Sequence, residues 1–177
     1  MIQTARLRLR APRPDDAEPL AALMTPAVSR WVARWPVPFT PEMAQARIAE
    51  ALDAMAQGCA LTHVIEHQAK PAGWISGGCR PGTQRGHFGY WLGEPHHGQA
   101  LMQEAAPAFV VALRTRFALH SIEAACQPGN HGSAKVLAVC GLHRTGARTE
   151  HVPARNRDEL VDIWECVWTG PPSSLSP

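Results

Sequence analysis

The sequence has no C-x-x-C pair, no internal repeat and no low-complexity segment before its last few residues, and no apolar run approaches the ~18 residues that a membrane-spanning helix requires. Its five cysteines, Cys59, Cys79, Cys126, Cys140 and Cys166, are odd in number, and each sits in a mainly apolar or strand-like segment. No disulfide framework is expected, and buried free thiols in a reducing cytoplasm fit best. The opening MIQTARLRLRA lacks the apolar core of a secretory signal, so the expectation is a soluble, cytoplasmic chain with no membrane partner. Charge is also scarce. Only 18% of residues are charged and the net charge is +2, which does not by itself argue for a nucleic-acid partner, and none is expected. Arg6, Arg8, Arg10 and Arg13 resemble a basic arm, but they alternate with Leu7 and Leu9, the pattern of one solvated face of a strand. Compact metal-ligand spacing is missing too. His63 and His67 share one strand face, with His87, His96, His97, Cys59 and Cys79 near in sequence, and no metal site is expected.

What is present is the composition of a packed domain. Hydrophobic residues make up 45% of the 177 positions, so residues 1–169 are expected to form a single domain and residues 170–177 a disordered tail. Residues 3–10 alternate as a first strand. Helices are expected from Pro14 or Asp15 to Met24, from Val28 to Arg34, and from Thr40-Pro41 to Gly58, where threonine caps and proline fills the first turn. Met43, Ile48, Ala51, Leu52 and Met55 mark the buried face of the last. Strands are expected at 59–67, 72–80 and 86–92, with Lys70-Pro71 in the first hairpin turn. A helix from Gly98 to about Arg116, kinked by Pro107, leads to a strand at 121–126, a helix at 133–140 and strands at 143–152 and 160–168. Consecutive hairpins imply antiparallel pairing, and the strand–helix–strand unit at 86–126 implies one parallel pair. The fold class is α/β (α+β): a mixed, mostly antiparallel central sheet of about seven strands, with helices on both faces and a splayed parallel strand pair.

Chemistry is expected in the stretch His87 to Glu104, HFGYWLGEPHHGQALMQE. The apolar strand Phe88–Leu92 breaks at Gly93-Glu94-Pro95, and a helix begins near Gly98. A strand that gives way to a helix start leaves backbone N–H groups unpaired, with the positive end of the helix dipole behind them. That arrangement suits a phosphate or pyrophosphate. No residue from His96 to Glu104 is proline, so every donor is available. A strand–loop–helix connection that binds nothing has the same outline. The single tyrosine, Tyr90, lies in the strand and reads as packing.

Four segments occur in order over residues 4–168: Thr4-x-Arg6-Leu7-x-Leu9-Arg10 followed by Asp15-Asp16-Ala17; Gly89-Tyr90-Trp91-Leu92; His97-Gly98-Gln99-Ala100-Leu101-Met102; and Pro128-Gly129-Asn130-x-x-Ser133-x-x-Val136-Leu137-x-x-x-Gly141-Leu142. Together they resemble the GNAT acetyltransferase superfamily, in particular its branch of ribosomal-protein N-terminal alanine or serine acetyltransferases. The resemblance implies an acyl-CoA N-acyltransferase fold and acetyl-CoA as cosubstrate. It implies acetyl transfer to a primary amine, a peptide N-terminus or a small molecule, by direct attack in a ternary complex of a monomer or homodimer. It places the thioester carbonyl on the Leu92 N–H and the pyrophosphate on His97, Gly98, Gln99, Ala100, Leu101 and Met102. It places the pantetheine arm against Asn130 and Ser133, with Ser133 as the acid that protonates the departing thiolate. The family usually has glycine where Ala100 stands, often an aromatic or arginine where His97 stands, and no proline like Pro107. A second expectation is therefore a catalytically weak or inactive CoA-binding module of the same fold.

Amide formation from a thioester needs an uncharged amine, a polarised carbonyl, a proton donor and close positioning. The base is open among Glu94, His87, His96 and Glu150, with Glu94 taken as the catalytic candidate. From the residues alone, Ser133 reads first as a helix-start residue bonded locally, and the acid role is what the resemblance implies. Trp31, Trp35, Phe39 and Trp74 are candidates to line the acceptor pocket, and ordinary packing would also account for them.

Overall fold

Residues 1–170 are described by the structure, a computed structural model. Apart from Gly170, the tail expected at 170–177 lies outside the described residues. In chain order the elements are β1 (Ile2–Gln3), β2 (Leu7–Arg10), a 3-10 turn (Pro14–Asp16), α1 (Ala17–Leu23), α2 (Pro26–Ser29), α3 (Pro41–Ala56), β3 (Ala60–His67), β4 (Lys70–Cys79), β5 (Arg85–Leu92), a 3-10 turn (Glu94–His96), α4 (Leu101–Phe117), β6 (Ser121–Cys126), α5 (His131–Val139), β7 (His143–Val152) and β8 (Arg157–Val167). The strands form one sheet of eight in the order β1-β2-β3-β4-β5-β6-β8-β7. Every pairing is antiparallel except that of β5 with β6. The mixed α/β architecture with one parallel pair is as the strand pattern implied.

Alternation along the strands sends side chains to two cores. Ile65, Ile75, Phe88 and Leu92 join Phe109, Leu113 and other residues of α4 and α5 on one face. Val64, Trp74 and Trp91 join Leu20, Val28 and Ile48 from α1, α2 and α3 on the other. Gly73 allows close strand contact: a Cβ there would lie 2.2 Å from the Trp91 carbonyl oxygen.

Several expected boundaries move, for identifiable reasons. The first strand is split, because Thr4 N–H donates to Leu7 C=O at 3.0 Å and turns the chain. The arginines are not all solvated. Arg10 is buried and forks onto Asp16 at 2.8 and 2.6 Å while also bonding Glu66, the pairing that a buried guanidinium requires. α2 ends at Ser29, so Trp31 and Trp35 leave the helix for an irregular segment. On α3, Thr40 caps by accepting the Met43 N–H at 3.3 Å, but Met43 is exposed and Ala44 takes the buried position. The β3–β4 turn is Gln68-Ala69, both with positive φ, and Lys70 and Pro71 already belong to β4. α4 begins at Leu101 rather than Gly98 and runs through Pro107 to Phe117, and α5 begins at His131 rather than Ser133.

Candidate active site

β5 and β6 pair only over Arg85–His87 with Ser121–Glu123, so β5 runs on from Phe88 to Leu92 with its β6-side edge unpaired. The strands part there, and a cavity of about 1030 Å³ passes through the sheet. Which N–H groups face this slot follows from alternation. Gly93 donates to Ala72 of β4 at 2.9 Å, so Leu92 and Tyr90 turn their N–H groups the opposite way, into the gap. The Leu92 carbonyl faces the same way and is taken by His97 Nε2 at 2.8 Å.

At one mouth of the slot stands the head of α4. Gly98 and Ala100 both adopt left-handed backbone, with φ of 73° and 57°. The first intrahelical bond is Glu104 N–H to Ala100 C=O, at 3.2 Å. The N–H groups of Gly98 through Gln103 therefore donate to nothing among the described residues, and the helix dipole reinforces them. This loop is braced from the other end of the chain. Arg6 Nη1 donates to the Gln99 carbonyl at 2.9 Å and Arg6 Nε to Glu104 at 2.7 Å, while Thr4 Oγ1 donates to Glu104 at 2.5 Å. The Thr4-x-Arg6 pair thus does a specific task that strand alternation could not announce.

Across the slot, α5 presents Ser133. Asn130 caps the helix, its Oδ1 accepting the Ser133 N–H at 3.1 Å, and the Tyr90 hydroxyl lies 2.9 Å from Ser133 Oγ. Burial pushes the Tyr90 phenol above its ordinary value and Cys140 up to about 12, so both keep their protons. Tyr90 was expected only to pack. Its hydrogen bond depends on the approach of α5, a contact between residues 43 positions apart.

On the opposite face of the sheet the cavity is walled by Trp31, Trp35, Trp74, Trp91, His87 and Glu150. Trp35 is the hub of an aromatic cluster, its ring 5.0 Å from Phe39, 5.4 Å from Trp74 and 5.0 Å from Trp91. Burial, then the nearby charges of Arg80 and Arg34, hold the His87 imidazole below its usual value and hence neutral at pH 7. Arg148 bonds Glu150 and reaches Glu123 at 2.7 Å.

Of the residues singled out from sequence, Leu92, His97, Gly98, Ala100, Leu101, Met102, Asn130, Ser133, Trp31, Trp35 and Trp74 all line the cavity. Phe39, Glu94 and the side chain of Gln99 lie elsewhere, although the Gln99 N–H belongs to the donor run. Phe39 is buried behind Trp35. Glu94 sits on the exposed 3-10 turn and accepts a hydrogen bond from Thr25. The Gln99 side chain turns back to the Pro95 carbonyl at 2.9 Å. His96 lines the cavity, its ring 5.7 Å from that of His67. No group of three or more potential metal ligands occurs among the described residues.

The fold and site can be set beside known proteins. The "Probable N-acetyltransferase YjcK" of Bacillus subtilis (strain 168) is 34% identical over 86 residues, which are 49% of this chain and 44% of that protein. The structure of a ribosomal-protein-alanine acetyltransferase from Vibrio fischeri superposes with a TM-score of 0.79 at 22% identity, covering 99% of this chain and 98% of that one. The microcin self-immunity acetyltransferase MccE, solved in complex with acetyl-CoA and AMP, superposes with a TM-score of 0.81 at 18% identity over 93% of each chain. The acetyltransferase (GNAT) domain pattern matches residues 6–143, well over half of the sequence and including the slot, the head of α4 and Ser133, and on that match the chain belongs to the GNAT acetyltransferase family.

Proposed function

We propose that this chain is an acetyl-CoA-dependent N-acetyltransferase that moves an acetyl group to a primary amine, a peptide N-terminus or a small molecule, by direct attack in a ternary complex. The observation that carries this reading is the run of unpartnered N–H groups from Gly98 to Gln103 at one end of a slot that opens on both faces of the sheet. The donors suit a pyrophosphate. The inward N–H groups of β5 suit a pantetheine arm lying along the strand edge, and the tryptophan wall on the far face suits an acceptor approaching separately. MccE, a fold neighbour, is in complex with acetyl-CoA, which is consistent with this cosubstrate.

The residues then divide the chemistry. The Leu92 N–H stabilises negative charge on the thioester oxygen as the amine nitrogen forms its bond to the carbonyl carbon. The carbon–sulfur bond breaks, and the thiolate takes the Ser133 hydroxyl proton. The proton lost by the amine passes to the acceptor wall, where Glu150 and neutral His87 are the available bases, directly or through water. Glu94, outside the cavity, is not given this role. A reducing, cytoplasmic setting is proposed from the odd cysteine count and spacing; of the buried thiols expected, only Cys126 is buried, and Cys59 is exposed. The second reading, a CoA-binding module with little turnover, is favoured by one observation, the strained alanine at position 100.

Calorimetry with acetyl-CoA and a thiol-release assay over a panel of primary amines separate the two. Binding with thiol release on an acceptor is the expected result, binding without release on any acceptor supports the module, and absence of binding overturns both. Gly98→Pro is expected to abolish coenzyme binding, because proline cannot adopt φ of 73° and removes a donor. Unchanged affinity in that variant would show the phosphates to lie elsewhere.

A further inference from the structure

We propose that Tyr90 is a positioning residue for Ser133, with its phenol donating to Ser133 Oγ so that the serine's own proton is free for the departing thiolate. This inference rests on Ser133 being the proton donor. The Tyr90 hydroxyl is within reach of two acceptors on the same residue, Ser133 Oγ at 2.9 Å and Ser133 C=O at 3.3 Å. A serine hydroxyl has one proton and two lone pairs, so it can accept from the phenol and donate to sulfur at once. As the Ser133 O–H bond breaks and the S–H bond forms, charge develops on Oγ. The phenol hydrogen bond, shared between Oγ and the carbonyl, then tightens onto Oγ and stabilises that charge while the phenol keeps its own proton, and solvent later returns a proton to the serine. Burial keeps the phenol protonated, so the donor is always loaded. The geometry is fixed from both sides. Asn130 Oδ1 holds the Ser133 N–H at 3.1 Å, and the Tyr90 ring packs 5.8 Å from Phe88. Cys126, its thiol pushed up by burial, also approaches the Ser133 hydroxyl and brings no rival charge.

The test is a double-mutant cycle in kcat with saturating acetyl-CoA and the best acceptor of the panel. Tyr90→Phe removes one oxygen and is expected to lower kcat about tenfold, the equivalent of one hydrogen bond, with KM for acetyl-CoA within about twofold. Ser133→Ala is expected to lower kcat further, and Tyr90→Phe/Ser133→Ala to be no slower than Ser133→Ala alone. A double variant slowed by the product of the two single effects overturns the inference, as does an unchanged kcat in Tyr90→Phe. An unchanged kcat in Ser133→Ala instead removes the acid reading beneath it. Because Tyr90 is the only tyrosine, uniform fluorotyrosine labelling reports on this one ring without altering the fold. Its fluorine resonance is expected to move on Ser133→Ala, and an unmoved resonance overturns the contact.

Discussion

Ala100 holds a backbone that alanine adopts at a cost. At φ of 57° its Cβ crowds the following carbonyl, a strain worth roughly 1–2 kcal/mol per residue. The sequence showed an unexpected residue there but suggested a helical first turn. The left-handed cap arises because α4 starts at Leu101, three residues after the expected Gly98. Ala100→Gly is expected to raise stability by about 1 kcal/mol, or a few degrees in melting temperature for a chain of this size, without loss of acetyl-CoA affinity. Thermal unfolding with calorimetry checks this, and a lowered melting temperature would mean that the methyl contributes more by contact than it costs in strain. Phe39, Glu94 and the side chain of Gln99 show the opposite limit. Their residue types suited a site, and their neighbours in space turned them away from it.

At the scale of elements, the head of α4 is held by the first turn of the chain. Glu104 collects Thr4 Oγ1, the Arg6 N–H and Arg6 Nε. Burial alone would raise its carboxyl, but these bonds outweigh it and hold the group below the usual carboxylate range. A depressed acid stabilises the fold above its unfolded value, and that contribution is lost as pH falls through the folded value. Glu104→Gln is therefore expected to raise KM for acetyl-CoA several-fold near neutral pH with little change in kcat. It is also expected to flatten the loss of melting temperature below the ordinary carboxylate range. Kinetics and thermal scans across pH test both, and a change in kcat alone would remove the brace as a positioning device. The cap and proline of α3 and the span of β6 were legible because they depend on local chemistry. The end of α2 and the start of α4 were not, because bonds to Trp35, Arg155 and Arg6 set them.

At the scale of the whole molecule, the tryptophan wall proposed to receive the acceptor is held in place by the last hairpin. Arg155, at the β7–β8 turn, donates to the carbonyls of Ser29 at 2.8 Å and Val32 at 3.1 Å, and Ala154 N–H donates to Ala33 at 2.9 Å. These bonds, spanning more than a hundred residues, clamp the segment that carries Trp31 and Trp35 over the cavity. Arg155→Ala is expected to raise the acceptor KM by roughly tenfold, the equivalent of one net hydrogen bond, while acetyl-CoA affinity stays unchanged. Parallel titrations of the two substrates check it, and an equal loss for both would mean that the hairpin supports the whole slot instead of one face.

The sequence by itself determined the order of elements, the single parallel pair and the donor-rich break between β5 and α4, since periodicity, glycine and proline act locally on backbone and burial. Only the tertiary structure decided which groups meet. The slot exists because β5 outruns its pairing with β6. Ser133 meets Tyr90, and Arg6 meets the loop at Gln99, because packing of distant segments brings them within hydrogen-bonding distance. Such contacts depend on distance and direction in space, and neighbouring residues along the chain carry no record of them.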